Sequence, residues 1–347
     1  MESSYALVLV LLDRKGKQML DSLIFSLNAI IPIFSMVVIG FLLKKFGFID
    51  TAFAKKANKI VFRVFLPALL FRNIYKVESF VGINLGYIVF SCAALVTVML
   101  IGFPIVMAYT KRNDRRGVLL QSIFRSNYAL VGIPLAGALF GQPGEIVASL
   151  LSAVTVPILN MLAVLVLTVF GEKDKKPNVL DVLVGIIKNP LIQGVVLGLA
   201  VLGIRYLFVS FDIDFRLADL PPVMKVIDYL SEIATPLALI ALGAQFEFSE
   251  VKEMRRELLF GIIAKTCVIP IVVLGTCYLL FKNSFGGAEF AAIVALFATP
   301  VAVSTVPMSQ EMGADSNLAG QIVVWSTAAS SVSIFLSAFV FRLLGVF

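Results

Sequence analysis

The chain has 347 residues, a net charge of +7, 59% hydrophobic residues and only 15% charged residues, and its mean hydropathy is +0.98. A soluble domain carries about 25% charged residues, and no soluble fold could hide this much apolar surface, because a folded chain still exposes much of its area to water. The composition excludes a soluble protein and predicts an integral membrane protein. The lysines and arginines lie in short loops between apolar segments, so the partner is the lipid bilayer and not a nucleic acid.

A membrane-spanning helix needs about 20 mostly apolar residues, and the charged and turn-rich stretches divide the chain into ten such segments. We therefore predict an all-α polytopic membrane protein with ten transmembrane helices. The segments cover approximately 22–43, 57–75, 84–109, 117–140, 145–170, 184–208, 222–246, 257–281, 287–310 and 317–344.

Residues 1–18 precede the first segment. Their apolar run, 5–12, is too short to span a bilayer and ends in charged residues. Three interpretations stay open: a weak signal sequence that lacks a small-residue cleavage site, translation that begins at Met19, or an amphipathic surface segment. The place of this extension in the native protein is therefore an open question.

The positive residues give an orientation. The loops after segments one, three, five and seven hold clusters such as Lys44 and Lys45 or Arg115 and Arg116, whereas the loops between them hold few. The positive-inside rule then places these loops in the cytoplasm and both termini outside, in a multi-pass protein of the cell membrane. The loop 171–183 is predicted to be a short cytoplasmic linker.

Prolines fall in the same order in the two halves of the chain. Asn127 precedes Pro134 by seven residues (134 − 127), and Pro300 precedes Pro307 by seven. Two homologous five-helix halves, 19–170 and 184–347, explain these matches, and because five is odd the second half enters the membrane inverted. The prolines that correspond in order are Pro32, Pro67, Pro104 and Pro134 in the first half and Pro190, Pro236, Pro270 and Pro307 in the second.

Segments four and nine contain NYALVGIP and TPVAVSTVP, which predicts that both helices are broken. Proline removes a backbone donor, and unpaired backbone survives in a membrane only where it is buried in protein or lines a cavity. Transporters with inverted repeats bind their substrates at such broken helices near the middle of the bilayer. The predicted substrate-binding residues are Arg125, Asn127, Tyr128, Pro134, Asn160, Thr299, Pro300, Ser304, Thr305 and Pro307.

Each of these features has a simpler interpretation. The prolines could only kink their helices, while Ser and Thr satisfy their own backbone. Arg125 either lies on the substrate path or extends to the membrane surface, and Asn160 either faces the site or bridges two helices. Lys265, near mid-membrane, forms an ion pair with Glu232 or Asp228 or relays protons. GVVLG at 194–198 indicates close helix packing.

Several stretches together resemble the auxin efflux carrier family of membrane transport proteins. They are LPALLF, FRSNYALVGIPLAGALFG, KNPLIQG, PLALIALGAQ and ATPVAVSTVPMSQEMG, and the resemblance runs from about Met19 to the end of the chain. It is to a bacterial member, whose relatives are permeases for malate, malonate and similar acids. The family implies ten helices in two inverted repeats, crossover helices four and nine, and a scaffold and a transport domain that each draw on both repeats and move like an elevator.

We therefore expect a secondary active transporter for a small organic anion such as malate, coupled to a proton or a sodium gradient, with no cofactor and no metal. A homodimer through the scaffold half is expected for the family. The absence of histidine, of a GxSxG elbow and of paired carboxylates argues against an enzyme. The alternatives are a bile-acid or arsenite-type carrier with a similar inverted fold, and a sensor or channel that binds without transport.

Overall fold

The computed structural model describes residues 31–76, 84–171, 184, 187–246 and 251–347, and every regular element within these ranges is helical. The all-helical fold class is therefore confirmed. The interpretations of residues 1–18 and of nearly all of the linker 171–183 lie outside the described residues.

Within the described ranges, six stretches are long and apolar enough to cross a membrane, which agrees with a multi-pass membrane protein. They are Leu85–Tyr109, Asn113–Phe170, Pro190–Ser210, Pro221–Gln245, Arg255–Phe281 and Ser316–Leu343. Shorter helices cover 31–45, Thr51–Ile60, Leu66–Tyr75, Gly287–Ala298 and Thr305–Glu311.

The second helix begins six residues earlier than predicted (57 − 51). Asp50 caps it, because its carboxylate accepts a hydrogen bond of 2.6 Å from the main-chain N–H of Phe53. The prediction missed the start of this helix because Thr51–Ile60 contains three lysines, Lys55, Lys56 and Lys59, and therefore is not mostly apolar. The predicted bounds of the helices Leu85–Tyr109, Pro221–Gln245 and Ser316–Leu343 are correct to within one residue.

Three of the prolines in membrane helices follow a π-helical turn, and the helix continues through each of them. In each case, a single π-helical turn stops two residues before the proline, and this wider turn accommodates a ring that would otherwise clash with the carbonyl four residues earlier. These turns are Val61–Phe65 before Pro67, Tyr128–Gly132 before Pro134 and Ala264–Val268 before Pro270.

One group of helices is held together by glycines. A Cβ atom on Gly40 would lie 2.1 Å from the carbonyl oxygen of Ile240, and one on Gly194 would lie 2.6 Å from the carbonyl oxygen of Pro67. The packing expected at 194–198 is therefore confirmed, since only glycine allows such close approach. We call this the glycine-packed group; it consists of 31–45, Thr51–Ile60, Leu66–Tyr75, Pro190–Ser210 and Pro221–Gln245.

The remaining helices form a second group, which we call the break-containing group. It consists of Leu85–Tyr109, Asn113–Phe124, Ile133–Gly171, Arg255–Phe281, Gly287–Ala298, Thr305–Glu311 and Ser316–Leu343. Residues 290–298 lie at its centre, each at most 1% exposed. The stretch Ile133–Gly171 turns sharply at Gly141, whose φ of 65° suits a residue without a Cβ atom.

Candidate functional site

The first break interrupts predicted segment four. The helix Asn113–Phe124 ends in extended backbone at Arg125, and helical geometry resumes at Tyr128. The carbonyl oxygen of Asn127 accepts hydrogen bonds from the N–H groups of Val131 and Gly132. The break therefore lies at 125–127, upstream of Pro134. The expectation that Pro134 itself opens this helix was wrong, because the π turn lets the chain remain helical through the proline.

The second break interrupts segment nine between Ala298 and Thr305, and Pro300 lies within it. Residues of the two breaks are hydrogen-bonded to each other. The main-chain N–H of Asn127 donates to the carbonyl oxygen of Pro300 at 2.8 Å, and the hydroxyl groups of Ser126 and Thr299 share a hydrogen bond. The interrupted segments thus meet backbone to backbone at residues 126–127 and 299–300.

Arg125 is buried at the first break, with 2% of its surface exposed. Its guanidinium donates to the hydroxyl of Ser304 at 2.7 Å and to the amide oxygen of Asn160 at 2.8 Å, and it also contacts Gln121 and Met308. Among the described residues, no carboxylate forms an ion pair with it. The alternative in which Arg125 extends to the membrane surface was wrong.

The interpretation in which Asn160 bridges two helices is confirmed. Its amide oxygen binds Arg125 of another helix, and its amide nitrogen donates to the carbonyl oxygen of Val156 at 2.8 Å. The side chain therefore bridges two helices and also holds the guanidinium in position.

A cavity of about 70 Å³ lies where the two helix groups meet at the breaks. Apolar residues such as Leu66, Leu70 and Ala238 form much of its wall. Its polar lining comes from Arg125, Ser126, Asn127, Tyr128, Asn160 and Ser304 in the break-containing group and from Asn73 and Thr235 in the glycine-packed group.

Asn127 is the least satisfied group in this cavity. Its side chain is buried, and its amide nitrogen has no hydrogen-bond partner among the described residues. A buried donor without an acceptor is costly. Asn127 and the guanidinium of Arg125 are therefore two donor groups in one cavity that contains no carboxylate from the described residues.

The structure brings half of the predicted site residues to the cavity. Tyr128 lines it, but its hydroxyl donates to the carbonyl oxygen of Ala292. Thr299 bonds to Ser126 and Ala295. The predicted residues that do not line the cavity are Pro134, Thr299, Pro300, Thr305 and Pro307. Of these, Thr299 and Pro300 join the two breaks through their hydrogen bonds with Ser126 and Asn127.

Sequence reasoning missed Asn73 and Thr235. Both come from the glycine-packed group, in which no helix is broken. The available signal was a polar residue close to a membrane proline, since Asn73 follows Pro67 by six residues and Thr235 directly precedes Pro236.

A larger open cavity of about 670 Å³ adjoins the first. Asn73 and Ala129 line both. Lys76, Glu145 and other polar residues line its outer part, beyond the end of the helix Leu66–Tyr75. The smaller cavity is therefore reached from the Lys76 side of the molecule.

Polar contacts close the opposite side. The amide oxygen of Gln310 accepts a hydrogen bond of 3.1 Å from the amide nitrogen of Asn58, and its amide nitrogen donates to the carbonyl oxygen of Lys55 at 3.0 Å. The Nε atom of Arg63 lies 3.4 Å from a carboxylate oxygen of Glu311. These contacts join the two helix groups at the Lys55 side. The structure is thus open at one side of the site and closed at the other.

Lys265 lies in the break-containing group, away from this cavity. The proposed ion pair with Asp228 or Glu232 was wrong, because Arg72 binds both carboxylates. The Lys265 side chain is fully buried, and its amine has no partner among the described residues.

The family model for membrane transport proteins matches residues 25–337, which is most of the chain. The chain belongs to the auxin efflux carrier family of membrane transport proteins. This transporter is 22% identical over 314 residues to an "Uncharacterized transporter" of Methanothermobacter thermautotrophicus, covering 89% of this chain and 96% of the other. It is also 22% identical to the "Putative malonate transporter" of Rhizobium meliloti, covering 88% and 92%.

The fold of the transporter is similar to that of a solved structure, the sodium proton antiporter MjNhaP1 from Methanocaldococcus jannaschii at pH 8. The TM-score is 0.61 over 95% of this chain and 99% of the antiporter, with 13% identity. At this identity, the likeness concerns the arrangement of helices and not the transported ion.

Proposed function

We propose that this protein is a secondary transporter that moves a small dicarboxylate, such as malonate or malate, across the cell membrane. The observation that carries the proposal is the pair of donors at the first break. Arg125 is a buried cation to which the described residues supply no carboxylate, and the amide nitrogen of Asn127 has no acceptor. A buried charge without a counter-ion is expensive, and a bound carboxylate would complement both donors.

The cavity suits a small anion of this kind. A volume of about 70 Å³ admits a few atoms rather than a large amphipathic molecule. The apolar wall, including Leu66 and Ala238, would contact the carbon atoms between two carboxylates. The name of the Rhizobium relative, which mentions malonate, points to the same class.

The position of the cavity supports alternating access by an elevator-like movement. The site lies between the two helix groups, with an opening on the Lys76 side and contacts such as Asn58–Gln310 on the Lys55 side. We propose that the glycine-packed group is the scaffold, and that the break-containing group carries the anion past it. Close backbone contacts such as Gly40 to Ile240 would keep the scaffold rigid.

Contacts at the breaks support two inverted five-helix repeats, 19–170 and 184–347, with ten helices and a crossover at segments four and nine. Pro134 and Pro307 are 173 positions apart, and the same offset relates Ser126 to Thr299 and Asn127 to Pro300. Both of these pairs are in contact. Equivalent residues touch in this way near a pseudo-two-fold axis.

The glycine contacts support the same symmetry. Gly40, in the first segment of the first half, packs on Ile240 in the second segment of the second half. Gly194, in the first segment of the second half, packs on Pro67 in the second segment of the first. In both cases, the first segment of one half packs on the second segment of the other half, as a two-fold relation requires.

Uptake of labelled malonate and malate into proteoliposomes, with and without imposed proton and sodium gradients, tests the function. Arg125→Gln should weaken malonate binding about 100-fold, because removing one partner of a buried charged pair costs about 2–5 kcal/mol. Arg216→Gln, at a residue that is exposed on the surface, is the matched control and should bind as the wild type does.

Two outcomes would contradict the proposal. Malonate that binds but never accumulates in the vesicles would favour a sensor. If no dicarboxylate binds to the folded wild type, the organic-anion assignment is wrong.

A further inference from the structure

Lys265 has an environment that none of the features described so far explains. It lies in the π turn Ala264–Val268, its side chain is 0% exposed, and its amine has no hydrogen-bond partner among the described residues. A protonated amine in this setting is far more costly than a neutral one. The empty transporter therefore favours a neutral Lys265.

Neighbouring residues place Lys265 beside the crossing of the two breaks. Its helix and the helices Asn113–Phe124 and Ser316–Leu343 start at the same end, where Arg115 binds both Glu257 and Asp315. One turn before Lys265, a Cβ atom on Gly261 would lie 3.3 Å from the hydroxyl of Ser122 and 3.0 Å from Ile322.

One turn further along their helices come Lys265 and Ser326, while Ser126 lies just past the end of the third helix, in the first break. Ser126 bonds to Thr299, and the hydroxyl of Ser326 accepts from the N–H of Val301, so both belong to the crossing. Lys265 does not line the substrate cavity. The turn that carries Lys265 thus packs against the helices that lead into the breaks, without lining the cavity.

Apart from Arg125 in the first break, the charged groups of the surrounding helices lie near the helix ends or bind other residues. Glu257, on the same helix as Lys265, is eight residues or about 12 Å away from it and binds Arg115. The thiol of Cys267 belongs to an exposed residue, and Cys277 and Tyr278 lie three or more turns away. The charged residues of the packed helices lie near the helix ends, and they are Asp114, Arg115, Arg116, Glu289 and Arg342.

We propose that Lys265 is the proton-binding site of the transporter: it is neutral when the cavity is empty and protonated when a dicarboxylate occupies the breaks. This inference rests on the proposed function. A bound dianion contributes two negative charges, Arg125 supplies one positive charge, and a protonated Lys265 supplies the other. The charges of the anion, Arg125 and Lys265 then cancel, which lowers the cost of moving them within the membrane.

The protonation step is a simple exchange with solvent. A proton from water on the open side adds to the lone pair of the Lys265 nitrogen when the anion binds, and it leaves on the other side when the anion is released. No other bond forms or breaks. Each transport cycle therefore carries one proton together with one dicarboxylate.

Linkage between the anion and the proton makes binding depend on pH. Since the complex holds one more proton than the free protein, the apparent Kd of malonate should rise about tenfold per pH unit over the range in which Lys265 is neutral without anion and protonated with it. The measurement uses detergent-purified full-length protein in the range where both carboxyl groups of malonate are ionised. A pH-sensitive dye should report one proton taken up per malonate bound.

Substitutions of Lys265 show whether this residue binds the proton or only supports the fold. Lys265→Met removes the amine at similar volume, so malonate should bind more weakly and without pH dependence. Lys265→Arg keeps a charge at every pH, so binding should stay tight and lose its pH dependence. In both variants a proton gradient should no longer drive accumulation. Lys282→Met, at an exposed lysine near the end of the same helix, is the matched control and should behave as the wild type does.

The thermal stability of the empty protein tests Lys265 without any anion. Because unfolding exposes the amine to water and allows it to bind a proton, the Tm of the wild type should fall as pH falls, relative to that of Lys265→Met. Equal pH dependence in the two proteins would overturn a neutral Lys265.

If wild-type malonate binding is independent of pH, or if Lys265→Met keeps the proton uptake, the proton site is wrong while the proposed function stands. If no dicarboxylate binds but the stability difference appears, the proposed function fails and the neutral amine remains.

Discussion

Two arginines in membrane segments have opposite surroundings. Arg72, in the glycine-packed group, binds two carboxylates of that same group, Asp228 and Glu232. Arg125, in the break-containing group, binds only neutral acceptors among the described residues. A cation that is neutralised within its own group belongs to the framework, whereas a buried cation without a counter-ion leaves a place for an anionic ligand.

The same contrast holds for the backbone. In the glycine-packed group, carbonyl oxygens approach glycines of neighbouring helices, and no helix is broken. In the break-containing group, the helices stop at 125–127 and 299–304, and main-chain groups pair across the gap. Substitutions in the first group should therefore affect folding, and substitutions at the breaks should affect binding.

The largest expected effect is on stability. In Gly243→Val, the new Cβ atom would lie 1.9 Å from the carbonyl oxygen of Val37, so the helices must separate and the free energy of unfolding should fall by about 3 kcal/mol. The yield of monodisperse protein and its Tm measure this. Gly275→Val is the control, since nothing lies within 4 Å of a Cβ atom there. Equal losses in both variants would contradict the distinction between the groups.

Asn127→Ala should abolish anion transport while the protein stays folded. The contact of Asn127 that joins the breaks uses its main-chain N–H, which alanine keeps. Loss of the side-chain donor should weaken malonate binding about 10- to 100-fold, since a hydrogen bond to a charged group contributes about 1.5–3 kcal/mol. Asn317→Ala, at an exposed residue, is the control. Wild-type uptake by Asn127→Ala would remove Asn127 from the site.

Gln310→Ala should loosen the closed side of the transporter. It removes the bonds to Asn58 and to the carbonyl oxygen of Lys55, which together contribute about 1–2 kcal/mol. The form open at the Lys55 side should then become about 5- to 30-fold more populated. Labelling of Ala302→Cys by an impermeant thiol reagent added on that side measures the change, with Ala302→Cys alone as reference. Unchanged labelling would mean that Gln310 does not hold this side closed.

Arg72→Gln should have the smallest effect. Its carboxylate partners are partly exposed, so the free energy of unfolding should change by less than about 1 kcal/mol. Malonate affinity should remain within about twofold of the wild-type value, in contrast to Arg125→Gln. A large loss of affinity in Arg72→Gln would show that both arginines act on the anion.

The sequence alone determined the membrane environment, the helical class, most helix positions and the family. These properties depend on composition and on local patterns such as apolar length, which neighbours along the chain are enough to reveal. The proline pattern also pointed to segments four and nine. It misplaced the first break, because a π turn before Pro134 depends on how that helix packs.

Only the tertiary structure decided which side chains meet. Arg125 and Ser304 are 179 positions apart, and Asn73 and Thr235 reach the cavity from helices with no break of their own. The structure also shows that the buried amine of Lys265 has no hydrogen-bond partner among the described residues, and that Arg72 forms ion pairs with Asp228 and Glu232. Burial and charge pairing are set by distant parts of the chain, so no local pattern could have distinguished a framework cation from one that awaits a ligand.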